Sequence, residues 1–268
     1  VAEVDEVIAF KKDESVFSVA RRLRGNFEVA VLFPNSLRSA IEVWLAGIPR
    51  RVGFAGHWRR KFLNQIIPPP KQVPGQPMHQ ADIYWRIAER CGASERPLAR
   101  PLWKANRKEC VIGICPGAEY GSAKRWPADN FRQLILQVNE RIECHWVILG
   151  TVADTPVASK IAAGISDVSD LTGKTSLEDL MDLLSKITGL VTNDTGTMHL
   201  ADFLGTPLVG IFGSTEPDYT GPRSARSVVV RHKAECSPCF LRECPIDFRC
   251  MEQIPMERMV NAVLNLTK

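Results

Sequence analysis

Short runs of β-branched and aliphatic residues alternate with longer amphipathic stretches along the 268 residues, which restricts the chain to βαβ units and largely parallel sheets. EVAVLF (28–33) and RVGF (51–54) read as strands, joined by a helix over about 36–46 that carries Leu37, Ala40, Ile41 and Trp44 at helical spacing. The opening VAEVDEVIAFKK (1–12) reads as a strand already under way, and a further helix is expected over about 78–91. CVIGIC (110–115), HWVILG (145–150), LVTN (190–193) and TPLVGIF (206–212) are near-continuous apolar runs, the pattern of parallel strands buried on both faces. Helices are expected near 129–142, 155–163, 177–187 and 255–266, with a short one from about Gly196; Pro127 and Ser176 are entry signals for two of them.

Two stretches interrupt this rhythm. IIPPPKQVPGQP (66–77) holds five prolines and must be a loop, and 92–109 turns to Pro, Arg, Lys and Ala with little periodicity, as a linker does. The expected division is an amino-terminal Rossmann-like lobe over 1–104 and a second over 105–268, two modest domains that 268 residues can accommodate. The charge sum, 34 basic less 30 acidic residues, is +4, too mild to point to nucleic acid as a partner. No apolar stretch nears the roughly 18 residues of a spanning helix and no signal-peptide pattern opens the chain, so a cytoplasmic protein is expected. The eight cysteines are too sparse for a disulfide scaffold, and Cys110 and Cys115 read as buried thiols in an apolar run.

Ligands of open α/β sheets sit beyond the carboxyl ends of the strands, so the loops after each strand of the second lobe are the place to search. The first is PGAEYGSAKRWP (116–127), with small residues such as Gly117 and Ser122 and the phosphate-binding candidates Lys124 and Arg125. The next is NDTGTMH (193–199), where Asp194, Thr195, Gly196 and Thr197 lie at a strand-to-helix turn and His199 on the first helical turn. Backbone N–H groups and the helix dipole face an anion there. GSTEPDYTGP (213–222) is a third small, polar loop, and together the three describe a nucleotide-diphosphate site. Each also has a plainer reading: a turn, solvated charges at Lys124 and Arg125, a structural imidazole at His199, and Asp194 as a helix cap. No GxGxxG or GxxxxGK[ST] fingerprint is present.

The combination of PGAEYGSAKRWP, LTGKTSLEDL (171–180), VTNDTGTMHLADFLGTPLVGIFGSTEPDYTGP (191–222) and CSPCFLREC (236–244), with LFPNSLRSAIEVWLAGIPRRVGF (32–54), resembles the ADP-heptose lipopolysaccharide heptosyltransferases, most nearly those of type II. The resemblance implies an α/β, GT-B-type architecture of two Rossmann-like lobes with largely parallel sheets, the carboxy-terminal lobe holding the sugar nucleotide and the amino-terminal lobe the acceptor. It implies an inverting transferase that moves heptose from ADP-heptose to the lipopolysaccharide inner core at the membrane surface, with no metal required for catalysis. Lys124 and Asp194 would be catalytic, Lys124 stabilising charge as ADP leaves. The donor would be bound by Gly117, Ser122, Lys124, Thr172, Asp194, Thr195, Gly196, Thr197 and His199. Thr172 stands in the segment that the family places near the base, where a turn capped by Ser176 is the alternative; Asp154 stands where an acid could bind ribose hydroxyls. The family's Asp base would lie before Val1, so the amino-terminal lobe reads as incomplete at its start. A catalytically deficient nucleotide-sugar-binding fragment, or a transferase using another nucleotide sugar, therefore stays open.

On the acceptor side, Arg38, Arg51, Arg59 and Arg60 are candidates for the anionic groups of a lipopolysaccharide core, or alternatively a solvated basic face. Cys236, Cys239, Cys244 and Cys250 have a spacing that would let thiolates converge on a structural zinc, with reduced thiols or a disulfide as the alternatives. A peripheral position at the inner membrane follows from the implied acceptor.

Overall fold

The computed structural model describes residues 4–56, 58–68, 77–95, 102–104 and 109–268. The chain divides into two compact units, Val1–Arg96 and Pro97–Lys268. The boundary therefore falls ahead of the expected 104/105 division. Trp103 and Lys104 explain the shift: their N–H groups donate to Leu204 and Ser185 carbonyls, which ties them to the second unit. Most of the proline-rich loop and of the expected linker lies outside the described residues.

In the first unit, β1 (Val29–Leu32), β2 (Arg50–Phe54) and β3 (Gln65–Ile67) form a parallel sheet in that order. Helix α1 (Val16–Leu23) starts at Ser15 and α2 (Leu37–Leu45) at Ser36, each hydroxyl accepting from an N–H three residues on, the usual N-cap economy. Ala20, Leu32, Ala40, Val43, Ile48 and Leu63 make one core cluster, while Val52, Phe54 and Ile67 pack with Ile87 of α3 (Gln80–Arg90). The expected strand over 1–12 is not found: residues 4–12 carry no strand, and Val4 and Val7 are exposed. Alternation produces a strand only where a ladder partner accepts it, and none of the three strands pairs with this segment.

The second unit is a six-stranded, all-parallel sheet of β4 (Val111–Cys115), β5 (His145–Ile148), β6 (Val168–Asp170), β7 (Gly189–Asn193), β8 (Leu208–Phe212) and β9 (Ser227–Arg231). Their order across the sheet is β6-β5-β4-β7-β8-β9, so the winding direction reverses between β4 and β7. Side chains alternate between two apolar layers. Ile112, Ile114, Trp146, Ile148, Val191, Val209 and Ile211 face α4 (Ala128–Asn139), α5 (Thr155–Ala162) and α10 (Met256–Leu266). Cys115, Val147, Leu149, Leu190, Leu208 and Phe212 face α6 (Leu177–Lys186) and α7 (Gly196–Leu204). Helix α4 shows the reason for its own docking, since Phe131, Leu134, Ile135 and Val138 recur at i, i+3, i+4 and i+7 and are all buried. Short helices α8 (Pro217–Thr220) and α9 (Arg249–Glu252) complete the set among the described residues.

The expectation of buried thiols holds for Cys115 and fails for Cys110, which forms a disulfide with Cys144. The register explains it: Val111 pairs with His145, so the residues just before β4 and β5 stand side by side, 4.6 Å apart at Cα. A pocket of about 660 Å³ surrounds this disulfide at the amino ends of the strands, lined by Glu109, Glu143, His145 and Asp167 among others. No described helix is long and apolar enough to cross a membrane.

Candidate active site

In a doubly wound sheet the loops that leave the two strands at the reversal point diverge and leave room for a ligand. Here those are the loops after β4 and β7. They are locked together by Asn193, whose side-chain amide donates to the Pro116 carbonyl at 2.7 Å and accepts from Trp126 N at 3.2 Å. That clamp positions a single turn of 3-10 helix, Ser122–Lys124, whose last residue reaches the other loop. Lys124 Nζ donates to Asp194 Oδ2 at 2.5 Å, with the carboxylate side chain only 4% exposed. Thr215, from the loop after β8, donates its hydroxyl to the same oxygen at 2.8 Å. A buried carboxylate is tolerated when it is paired and hydrogen-bonded in this way.

Asp194 is therefore not the helix cap. Thr195 takes that role, its hydroxyl accepting from Met198 N at 3.4 Å, and is held in turn by Thr192 at 3.2 Å. Leaving Asp194 free of capping lets it face Lys124, while the first N–H groups of α7 stay open to a ligand. Above Gly196, the first residue of that helix, a Cβ would meet nothing within 4 Å. Thr197 is half-buried and His199 is exposed on the first turn. Cys115 lies behind this turn, where burial pushes its thiol up against the opposing pull of hydrogen bonds from Thr197, Thr195 and Thr192.

Beside this cluster, Asp154 is buried and accepts from Thr151 N and Thr151 Oγ1, both at 2.9 Å. Its carboxylate presses on Gly117, where a Cβ would come within 2.4 Å of Asp154 Oδ1. Gly117 thus admits the acid to the edge of the loop. Thr172 donates to Asp170 at 2.7 Å and lies 3.3 Å from the Thr155 hydroxyl, and the Ser176 cap is present as a reciprocal box with Asp179. The capped turn expected at Ser176 is therefore present. Thr215 belongs to the third polar loop, 213–222, within which no local pattern separates it from its neighbours.

The four candidate arginines of the first unit separate into three kinds. Arg38 donates to Glu42 and to the carbonyls of Lys12 and Glu14, and Arg51 donates to the carbonyls of Phe62 and Ile48, so both serve as backbone ties. Arg60 is exposed. Arg59 is 1% exposed and donates from Nη1 to Asn35 Oδ1 at 3.1 Å, while Nε and Nη2 are buried without a partner among the described residues. Burial alone holds its guanidinium below the ordinary arginine value.

Among the described residues no group of three or more His, Cys, Asp or Glu is arranged to hold a metal ion. Cys236, Cys239, Cys244 and Cys250 are free thiols, and burial together with the other three pushes the Cys250 thiol up to about 11.

Comparison with known proteins agrees with this architecture. The sequence is 29% identical over 239 residues to lipooligosaccharide heptosyltransferase 2 of Haemophilus influenzae, covering 80% of this chain and 68% of that protein. It is 28% identical over 272 residues to lipopolysaccharide heptosyltransferase 2 of Escherichia coli, covering 85% and 74%. The structure of E. coli ADP-heptose lps heptosyltransferase II superposes with a TM-score of 0.75 at 25% identity, over 94% of this chain and 79% of that one, which bears out the α/β, GT-B-type expectation. The sequence profile of glycosyltransferase family 9 (heptosyltransferase) matches residues 16–248, and the chain belongs to that family.

Proposed function

We propose that this chain transfers heptose from ADP-heptose to the inner core of a lipopolysaccharide acceptor, with inversion at the anomeric carbon. The observation that carries the reading is the Lys124, Asp194 and Thr215 cluster at the reversal point of the second sheet, beside the open start of α7. An acceptor hydroxyl forms the new C–O bond as the bond from the anomeric carbon to the diphosphate breaks, with the hydroxyl proton passing to a base. ADP leaves with increased negative charge, so preorganised donors at its oxygens lower the barrier. Lys124 and the N–H groups of Gly196 and Thr197 supply such donors, and Asp194 holds the ammonium in place until the diphosphate arrives. Gly117 and Ser122 follow β4, Thr195 and His199 follow β7, Thr172 stands on the loop after β6, and together they complete the donor-binding set.

For the acceptor, the reading favours Arg59 and Arg60. Nε and Nη2 lie on the same side of a guanidinium and form the fork that accepts a carboxylate or phosphate side-on, and these are the two nitrogens Arg59 leaves unpaired. Action at the cytoplasmic face of the inner membrane is part of this proposal, because the donor is a nucleotide sugar and the acceptor a lipid.

The test is incubation of the chain with ADP-heptose and a lipopolysaccharide acceptor ending in an inner-core heptose, read by mass spectrometry. Gain of one heptose, with UDP- and GDP-sugars failing as donors, supports the proposal. Transfer only from another nucleotide sugar overturns the donor assignment, and ADP binding without transfer to any acceptor overturns the transferase reading for this chain.

A further inference from the structure

The segment from Cys239 to Cys244 contains no helix or strand, yet its contacts converge on the loop that carries Lys124. The Phe240 carbonyl accepts from the Tyr120 hydroxyl at 2.7 Å. The Arg242 carbonyl accepts from Ala123 N at 3.0 Å and sits so close to Gly121, at φ 153°, that a Cβ there would meet it at 2.2 Å. The Arg242 guanidinium lies 5.3 Å from the centroid of the Tyr120 ring, and Lys124 Nζ lies 4.6 Å from the same centroid. The same segment also reaches the far side of the cluster, because Phe240 N donates to the carbonyl of Ser214, the neighbour of Thr215.

We infer that Tyr120 is a positioning residue for Lys124, splinted by the Cys239–Cys244 segment; this rests on the reading of Lys124 as a donor-diphosphate contact. A lysine ammonium ends a four-carbon stem with several rotatable bonds, and held by Asp194 alone it would swing into solvent whenever that pair opened. An aromatic face within about 6 Å of a cation gives it a second low-energy position. Lys124 can then leave the carboxylate for a phosphate without losing its place above the ring. The Phe240 carbonyl fixes the ring through its hydroxyl, and the cationic Arg242 over the same ring adds to the positive field that an incoming diphosphate meets.

A double-mutant cycle read by calorimetric titration of ADP tests this. Tyr120→Leu is expected to weaken ADP binding about 3–10-fold. Tyr120→Phe, which keeps the ring and loses only its anchor, should lose less, and in a Lys124→Ala background neither change should cost anything further. A loss of the same size with and without Lys124 shows a merely structural role and overturns the inference. No loss from Tyr120→Leu, in a protein where Lys124→Ala does weaken ADP, also overturns it while leaving the donor reading intact. If Lys124→Ala itself changes nothing, the donor reading fails first. Tyr120 is 37% exposed, so its replacement opens no core. Should Tyr120→Leu nevertheless fail to fold, the Tyr120→Phe arm carries the same cycle, and a loss that persists without Lys124 overturns the inference.

Discussion

Asp194 and Arg59 are both charged, both almost fully buried, and resolved in opposite ways. The carboxylate in the second unit has its charge matched by Lys124 and a further hydrogen bond from Thr215. Among the described residues, the guanidinium in the first unit has one hydrogen bond to a neutral amide and two nitrogens with nothing to donate to. Burying an ion without a partner costs several kcal/mol even after relaxation, and pairing with hydrogen bonds offsets part of that cost, so the second arrangement is the more destabilising. On the proposed reading, the Lys124–Asp194 pair is neutralised within the chain, whereas the acceptor's anion would complete the pairing of Arg59.

Several substitutions probe that contrast. Lys124→Ala should have the largest effect, slowing transfer by about 100-fold or more through loss of a donor to the leaving diphosphate. Single-turnover rates measure it. Arg59→Met should raise the acceptor KM by about 10-fold while leaving the urea midpoint unchanged or higher, because an apolar side chain of similar volume removes a buried unpaired charge. A fall in stability with no change in acceptor KM would make Arg59 an ordinary packing residue and break the comparison. Thr215→Val should cost about 1 kcal/mol of stability and a few-fold in ADP affinity, since Asp194 keeps its ionic partner and loses only a neutral hydrogen bond.

A further effect concerns Cys250, another buried titratable group. Its thiol is raised to about 11 by burial and by its three neighbouring thiols, so the folded state favours the protonated form. The corresponding stability is complete below the unfolded value near 9.0 and is lost as pH rises through about 11. Urea midpoints should therefore fall over that interval, and Cys250→Ala should flatten the decline.

The contrast also shows where a sequence stops being informative. Strands β4, β5, β7 and β8 were legible because they are apolar on both sides, and the donor loops followed from their carboxyl ends. Strands β3, β6 and β9 are harder to read: two are three residues long, and β9 offers only three valines between Ser227 and Arg231. The Cys110–Cys144 disulfide depends on strand register, which no local pattern encodes. In NDTG, both Asp194 and Thr195 are good capping residues, and only the arrival of Lys124 from 70 positions earlier decides which of them caps. The unmatched burial of Arg59 was equally hidden, because a run of basic residues reads as a solvated face until the fold closes over one of them.

The donor site at the reversal point between β4 and β7 is the central claim, and calorimetric titration of ADP into the wild-type chain and into Lys124→Ala tests it most directly. The account predicts saturable one-site binding to the wild type, weakened by about 10-fold or more in the variant. Equal affinity in the two proteins would contradict it.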